Sequence, residues 1–254
     1  IMTAKAENIN GVFEGKALID IDAAAVRHYT DAPEWKKEQN IFSKYQILFY
    51  PMVKLGERLF HLSTQAAGLM AKVDTDNGGC PCESASNKNL QVDSAVVDDG
   101  AAGEEILLDP QQANYLNSQG IVTALNFMGS FVLWGNESAC FPASTDIKDY
   151  FYPVSRMFGW VSNTIVLTFW GKLDKRLNRR LIDNICDTMN IWLNGLTAEE
   201  KILGGRVEFR EDENPDTSLM AGKATFHVFL TPCSPAKHLH FILEYSAEYL
   251  AALF

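Results

Sequence analysis

A chain of 254 residues can bury a large core, as one big domain or two ordinary ones. With 47% hydrophobic and 21% charged residues and 9 prolines, the composition is globular and excludes wholesale disorder. The formal net charge of −10 argues against a nucleic-acid partner, and no apolar run approaches the ~18–20 residues that cross a bilayer, so no membrane insertion is expected.

The first ten residues, IMTAKAENIN, lack the charged and apolar regions of a signal peptide, and a start at Ile1 suggests a fragment of a longer product. KALIDID (residues 16–22) reads as a short strand, followed by a short helix from Asp22 that ends near Asp31-Ala32-Pro33. YQILFY (45–50) is a continuous apolar run and reads as a strand buried on both faces. In residues 61–79, Ser63 is a good N-cap, Ala66, Leu69, Met70 and Val73 have helical spacing, and Asn77-Gly78-Gly79 stops the helix. Residues 79–105, rich in Gly, Ser, Ala and acids, read as an extended surface excursion. Asp109-Pro110 opens a helix stopped at Gly120, and IVTALNF (121–127) and SFVLWG (130–135) read as strands. Strands alternating with helices indicate an α/β layer structure, a mixed sheet with flanking helices.

The second half has a different pattern. Residues 155–170 are apolar at helical spacing, and in a second helix Leu181, Ile182, Ile185, Met189, Trp192, Leu193 and Leu196 form one stripe. Three segments then alternate as strands: RVEFR (206–210), TFHVFL (225–230) and KHLHFILEY (237–245). In the last, Leu239, Phe241, Leu243 and Tyr245 stand opposite His238, His240 and Glu244, and a short apolar helix, SAEYLAALF, closes the chain. Two helices followed by an antiparallel sheet make an α+β second part.

Little in the sequence carries catalysis. Phosphate loops, dinucleotide fingerprints and nucleophile elbows are missing. His61 and Ser63 with Asp74 or Asp76 allow a hydrolase triad to be imagined, but helix capping explains Ser63. DTDNGG (74–79) starts like a calcium loop and fails, with Gly78 at a ligand position and Ala85 where the closing Glu belongs. Cys80-Pro81-Cys82 could offer two zinc thiolates but lacks a second pair, and five scattered cysteines read as reduced thiols. EDENPD (211–216) reads as a solvated loop, and His238 and His240 lack a third donor. No cofactor, metal or catalytic residue is therefore expected.

KLDKRLNRR (172–180) concentrates Lys172, Lys175, Arg176, Arg179 and Arg180 in an otherwise acidic chain. If helical, these five fall within about 140° of arc opposite Leu173, Leu177 and Leu181. A solvated face with Arg179 paired to Asp183 is one reading. A contact with an acidic protein partner is the other, since cations at a helix N-terminus oppose its dipole.

Six ordered segments resemble the tail sheath proteins of contractile phage tails and related contractile injection systems: LNSQGIVTALNF (116–127), FVLWGN (131–136), STDIKDYFYPVSRMFGW (144–160), NRRLIDNICDTMNIWLNGL (178–196), ILGGRVEFREDENP (202–215) and LTPCSPAKHLHFILEY (230–245). Residues 62–78 and 82–90 fit the family's earlier helix and the loop after it. The resemblance implies a subtilisin-like α/β part without protease function over 1–143 and a sheath C-terminal domain with its arm over 144–254. It implies a structural, non-enzymatic subunit of a virion tail or phage-tail-like particle, made in the bacterial host cytoplasm. Such subunits polymerise around a tail tube protein and contract to drive it through a cell envelope. The basic cluster then becomes a candidate tube or neighbour contact.

In the family, arms add strands to neighbouring subunits, so the resemblance makes Lys237, His238, Leu239, His240, Phe241, Ile242, Leu243, Glu244 and Tyr245 the candidate inter-subunit strand and C-terminal arm. Two positions depart from the family pattern. Asn136-Glu137-Ser138 stands where a basic turn is common after Trp-Gly, and Lys237 stands where an acid is common. Trp134-Gly135-Asn136 is expected to be a structural corner between the two parts, with Trp134 a buried packing residue whose loss would cost about 3–5 kcal/mol. A non-polymerising α/β binding module and a hydrolase-like enzyme using His61 are the alternatives.

Overall fold

The computed structural model describes residues 2–98, 100 and 103–249. Its first half contains α1 (Met2–Glu7), β1 (Ala17–Asp20), α2 (Ala32–Glu38), β2 (Gln46–Phe49), β3 (Met52–Leu55), β4 (Arg58–Phe60), α3 (Leu62–Asp76), β5 (Ser94–Val97) and β6 (Glu104–Ile106). Then follow α4 (Pro110–Ser118), β7 (Ile121–Phe127) and β8 (Ser130–Trp134). The second half has α5 (Ile147–Tyr150), α6 (Tyr152–Phe169), α7 (Arg179–Ala198), β9 (Ile202–Glu208), α8 (Asp216–Met220) and β10 (His227–Pro232).

The central sheet has the order β1-β2-β7-β8. β1, β2 and β7 run parallel, and β8 folds back on β7 through a hairpin. Every residue of β2 is buried, because successive side chains enter opposite cores. Ile47 and Phe49 pack with Leu62, Ala66 and Met70 of α3 and with Val122 and Leu133. Leu48 and Tyr50 pack on the other side with Ala32, Leu116 and Ile121. The continuous apolar run therefore reflects a sheet covered on both faces.

Three local expectations are corrected. Pro33 starts a helix instead of ending one: it stands in the first turn of α2, where its missing N–H costs nothing. Ser63 does not cap α3 with its own side chain. The Asp20 carboxylate, at the end of β1, accepts from Ser63 N–H at 2.9 Å and from Ser63 Oγ at 2.5 Å. The stretch 79–105 is not merely a surface excursion, since β5 lies fully buried within it. Together with β4, β3 and β6, β5 builds a second, antiparallel sheet.

In the second half α6 and α7 pack with β9. Met157, Val161, Met189, Leu193, Leu196, Ile202 and Val207 form one core, which Cys80 enters from the first half. α6 is cross-linked to the first half along its length. Tyr152 sits in the core beneath α3, and Lys16 Nζ donates to Ser155 Oγ at 2.5 Å. Arg156 forms an ion pair with Asp74, and the Asn163 carboxamide exchanges two 2.9 Å hydrogen bonds with the Glu14 backbone. β9 and β10 pair antiparallel, with Val207 opposite Val228, and no third strand joins them among the described residues. The expected strand KHLHFILEY is not one within this chain: it has the alternation but pairs with neither edge of the β9–β10 sheet. Of the expected terminal helix, residues 247–249 form a single 3-10 turn, and 250–254 lie outside the described residues.

Candidate functional site

β8 ends at a corner built by sterics and backbone pairing. Gly135 has φ +133°, and a Cβ there would lie 2.6 Å from Asn117 Oδ1 and 3.2 Å from the Val122 Cα, so only glycine fits. Trp134 is half-buried, not the fully buried residue expected: it packs on a small cluster of Ala113, Leu125 and Val132 while its indole N–H reaches Asn114 Oδ1 at 2.9 Å. Beyond the glycine, Ser138 N–H donates to the Tyr150 carbonyl at 2.6 Å, and Tyr152 N–H donates to that of Asn136 at 3.0 Å. The corner thus joins the central sheet to the start of α6.

Glu137, in the middle of that corner, is a buried acid whose side chain is only 2% exposed. One carboxylate oxygen accepts from Asn136 N–H at 3.0 Å, and the other meets the Lys237 ammonium, which also lies 5.4 Å from the centre of the Phe141 ring. Glu137 and Lys237 are therefore spatial partners. Local spacing carries no sign of this pairing, because the two stand one hundred positions apart. The only local cue is an acid set in an otherwise uncharged stretch, Ser138 to Phe141 following it.

Residues 233–237 run along a groove of about 760 Å³ lined by residues 82–88, the corner and the chain itself. Past Lys237 every described residue is exposed: Leu239 68%, Phe241 79%, Leu243 97% and Tyr245 85%. A run of large apolar side chains this exposed marks a surface that binds protein or membrane. Both outer edges of the β9–β10 pair also lack strand neighbours among the described residues.

The basic cluster is not one helical face. Lys172 closes a 3-10 turn, Asp174 has φ +61°, and α7 begins only at Arg179, where Asn178 Oδ1 accepts from Leu181 N–H at 2.9 Å. Arg179 forks between Asp183 at 3.0 Å and Glu211 at 3.1 Å, which holds its guanidinium above the ordinary range. Lys172 reaches Asn184 at 3.4 Å, while Lys175, Arg176 and Arg180 make no ion pair among the described residues. Asp174, Asp183 and Asp187 share this shallow surface, so its field is mixed in sign.

The remaining candidates for chemistry are occupied otherwise. Ser63 Oγ donates straight to Asp20, and His61 Nδ1 stands 3.8 Å from the same carboxylate, so no imidazole lies between serine and acid as a triad requires. Asp74 is committed to Arg156. Burial pushes the Cys80 thiol up to about 12, which opposes thiolate chemistry there. Glu211 and Glu213 of the acidic loop pair with Arg179, Arg210 and His227. Among the described residues no group of three or more His, Cys, Asp or Glu is placed to hold a metal ion, and no helix is long and apolar enough to cross a membrane.

No family model matches the chain. A tail sheath protein of Burkholderia phage BcepMu is 32% identical over 214 residues, covering 81% of this chain and 44% of that protein. A major tail sheath protein of Serratia phage KSP20 is 26% identical over 190 residues, covering 74% of this chain and 46% of that one. Among solved structures, the sheath complex of an extracellular contractile injection system (PVC) in its contracted state superposes with a TM-score of 0.77 at 18% identity, over 92% of this chain and 65% of that one. The chain spans less than half the length of the curated relatives it matches. It is a homologue of the phage tail sheath proteins and carries the fold of contractile injection system sheaths.

Proposed function

We propose that this chain serves as a structural, non-enzymatic subunit of a contractile tail sheath. It polymerises around a tail tube and contracts to drive that tube through a target envelope, within a virion tail or phage-tail-like particle. Residues 1–143 form the α/β part and 144–254 the sheath C-terminal part with its arm. The observation that carries this reading is the segment 237–245, whose alternating apolar side chains are largely exposed, in a chain whose two-stranded sheet has open edges among the described residues. An extended segment that finds no partner in its own chain is suited to strand addition on another, where backbone hydrogen bonds supply affinity and alternate side chains specificity. The basic cluster is a candidate contact with the tube or a neighbour.

The test is negative-stain microscopy of the protein in its native sequence context, with and without a stop after Lys237. Hollow striated cylinders from the first form and isolated particles from the second are expected. Isolated particles from both forms, or cylinders from both, would overturn the strand-addition reading.

A further inference from the structure

We propose that Glu137 and Lys237 are an anchor pair that fixes the point at which the exposed C-terminal segment leaves the body, making both positioning residues for contact with a second copy of this chain. The copy-to-copy part of this inference rests on the sheath reading above, whereas the anchor itself stands on the structure alone.

Three observations converge on it. Glu137 is buried, and the only cation paired with it among the described residues comes from the tail. Lys88, which lines the same groove, is engaged by Glu83 instead. Lys237 also stands where contact with the body ends: residues 233–238 line the groove, and every described residue from 239 on is exposed and outside it. Finally, the corner that presents Glu137 is rigid, held by Gly135 sterics and the pairing of residues 136–138 with 150–152.

The geometry gives the pair a definite effect. β10 ends at Pro232 and the Cys233 thiol still reaches the Glu200 carbonyl at 3.7 Å, so the anchor holds the four residues that follow, 234–237. At ~3.3–3.6 Å per residue its loss would give roughly 14 Å of slack. One residue of slip in an added strand is about 3.3 Å and turns every side chain to the opposite face. Anchoring at Lys237 therefore narrows the registers in which Leu239, Phe241 and Leu243 can enter a neighbour's sheet, and it raises their effective concentration at the right one.

The experiment compares wild type, Lys237→Glu, Lys237→Arg and the double exchange Glu137→Lys with Lys237→Glu. Backbone 15N order parameters of Ser234, Ala236, Lys237 and His238 are read first, on dilute unassembled protein. Lys237→Glu is expected to lower them from about 0.85 toward 0.6 or below, with Lys237→Arg near wild type. The double exchange is expected to restore them. Unchanged order parameters in Lys237→Glu would overturn the anchor. Cylinder formation is read second. Lowered order with undiminished assembly would overturn the positioning role, while a loss of cylinders that Lys237→Arg does not share supports it. If wild type itself forms no cylinders, the sheath reading and with it the positioning role fail, but the order parameters still decide the anchor.

Discussion

Lys36 is buried with its ammonium between two carbonyls, Gln119 at 2.5 Å and Phe141 at 2.7 Å, and no carboxylate among the described residues pairs with it. Burial pushes it down from the ordinary 10.5 to about 8, and burial does the same to Lys16. In both cases the unfolded chain holds its proton more tightly than the folded one between pH 8 and 10.5. Folding stability should therefore rise with pH across that window and carry a constant penalty below it. Urea titrations at pH 7.5 and 9 check this, below the range where the raised Cys80 thiol acts in the opposite sense, and Lys36→Met is expected to remove about half of the rise, leaving the share of Lys16. A rise of undiminished size in the variant would show that Lys36 is not its source. At the corner, Gly135→Ala should cost about 1–3 kcal/mol in the same titration, since the methyl meets the Asn117 carboxamide and the Val122 backbone. Replacing Trp134 should cost less than a fully buried indole would, because part of its surface already meets solvent.

At the scale of elements, the period of the sequence pattern decided what was legible. The α7 stripe was readable because four turns repeat it, and Ile182, Met189, Leu193 and Leu196 are indeed its buried face. β2 was readable because a sheet covered on both sides writes an unbroken apolar run. β3, β4 and β5 escaped notice because strands of three or four residues carry too little alternation to stand out from the turns around them. The Asp20 cap of α3 and the Glu137–Lys237 pair are long-range meetings that local spacing does not encode. The basic stretch is deceptive for the opposite reason: its residues fit a helical wheel, yet Asp174 and the Asn178 cap impose a turn. Arg180, in the first turn of α7 and without an ion pair, offers a separable test. Arg180→Glu should stabilise the folded chain by about 0.3–1 kcal/mol through the helix dipole. If the cluster touches an acidic partner, the same change should weaken that binding, and less so at high salt. A variant more stable and equally well bound would remove Arg180 from the contact.

For the whole molecule, folding and association separate at Lys237. The described residues beyond it are all exposed and bury little within the chain, so a stop after Lys237 should leave the melting temperature within about 2 °C of the longer form. A large drop would mean that the last residues belong to the fold itself. The exposed apolar run should also make the longer form the more prone to self-association in sedimentation, with the truncated form monodisperse.

The bonds between α6 and the first half carry a mechanical consequence. Tyr152, Ser155, Arg156 and Asn163 tie successive turns of that helix to the sheet, to Lys16, to Asp74 and to the Glu14 backbone, so the two halves resist shear at four stations along one axis. A pull on the tail passes through Lys237 into the corner, and from there into α6 and the sheet. The body then resists as one solid, and the described residues that follow the anchor yield before it does.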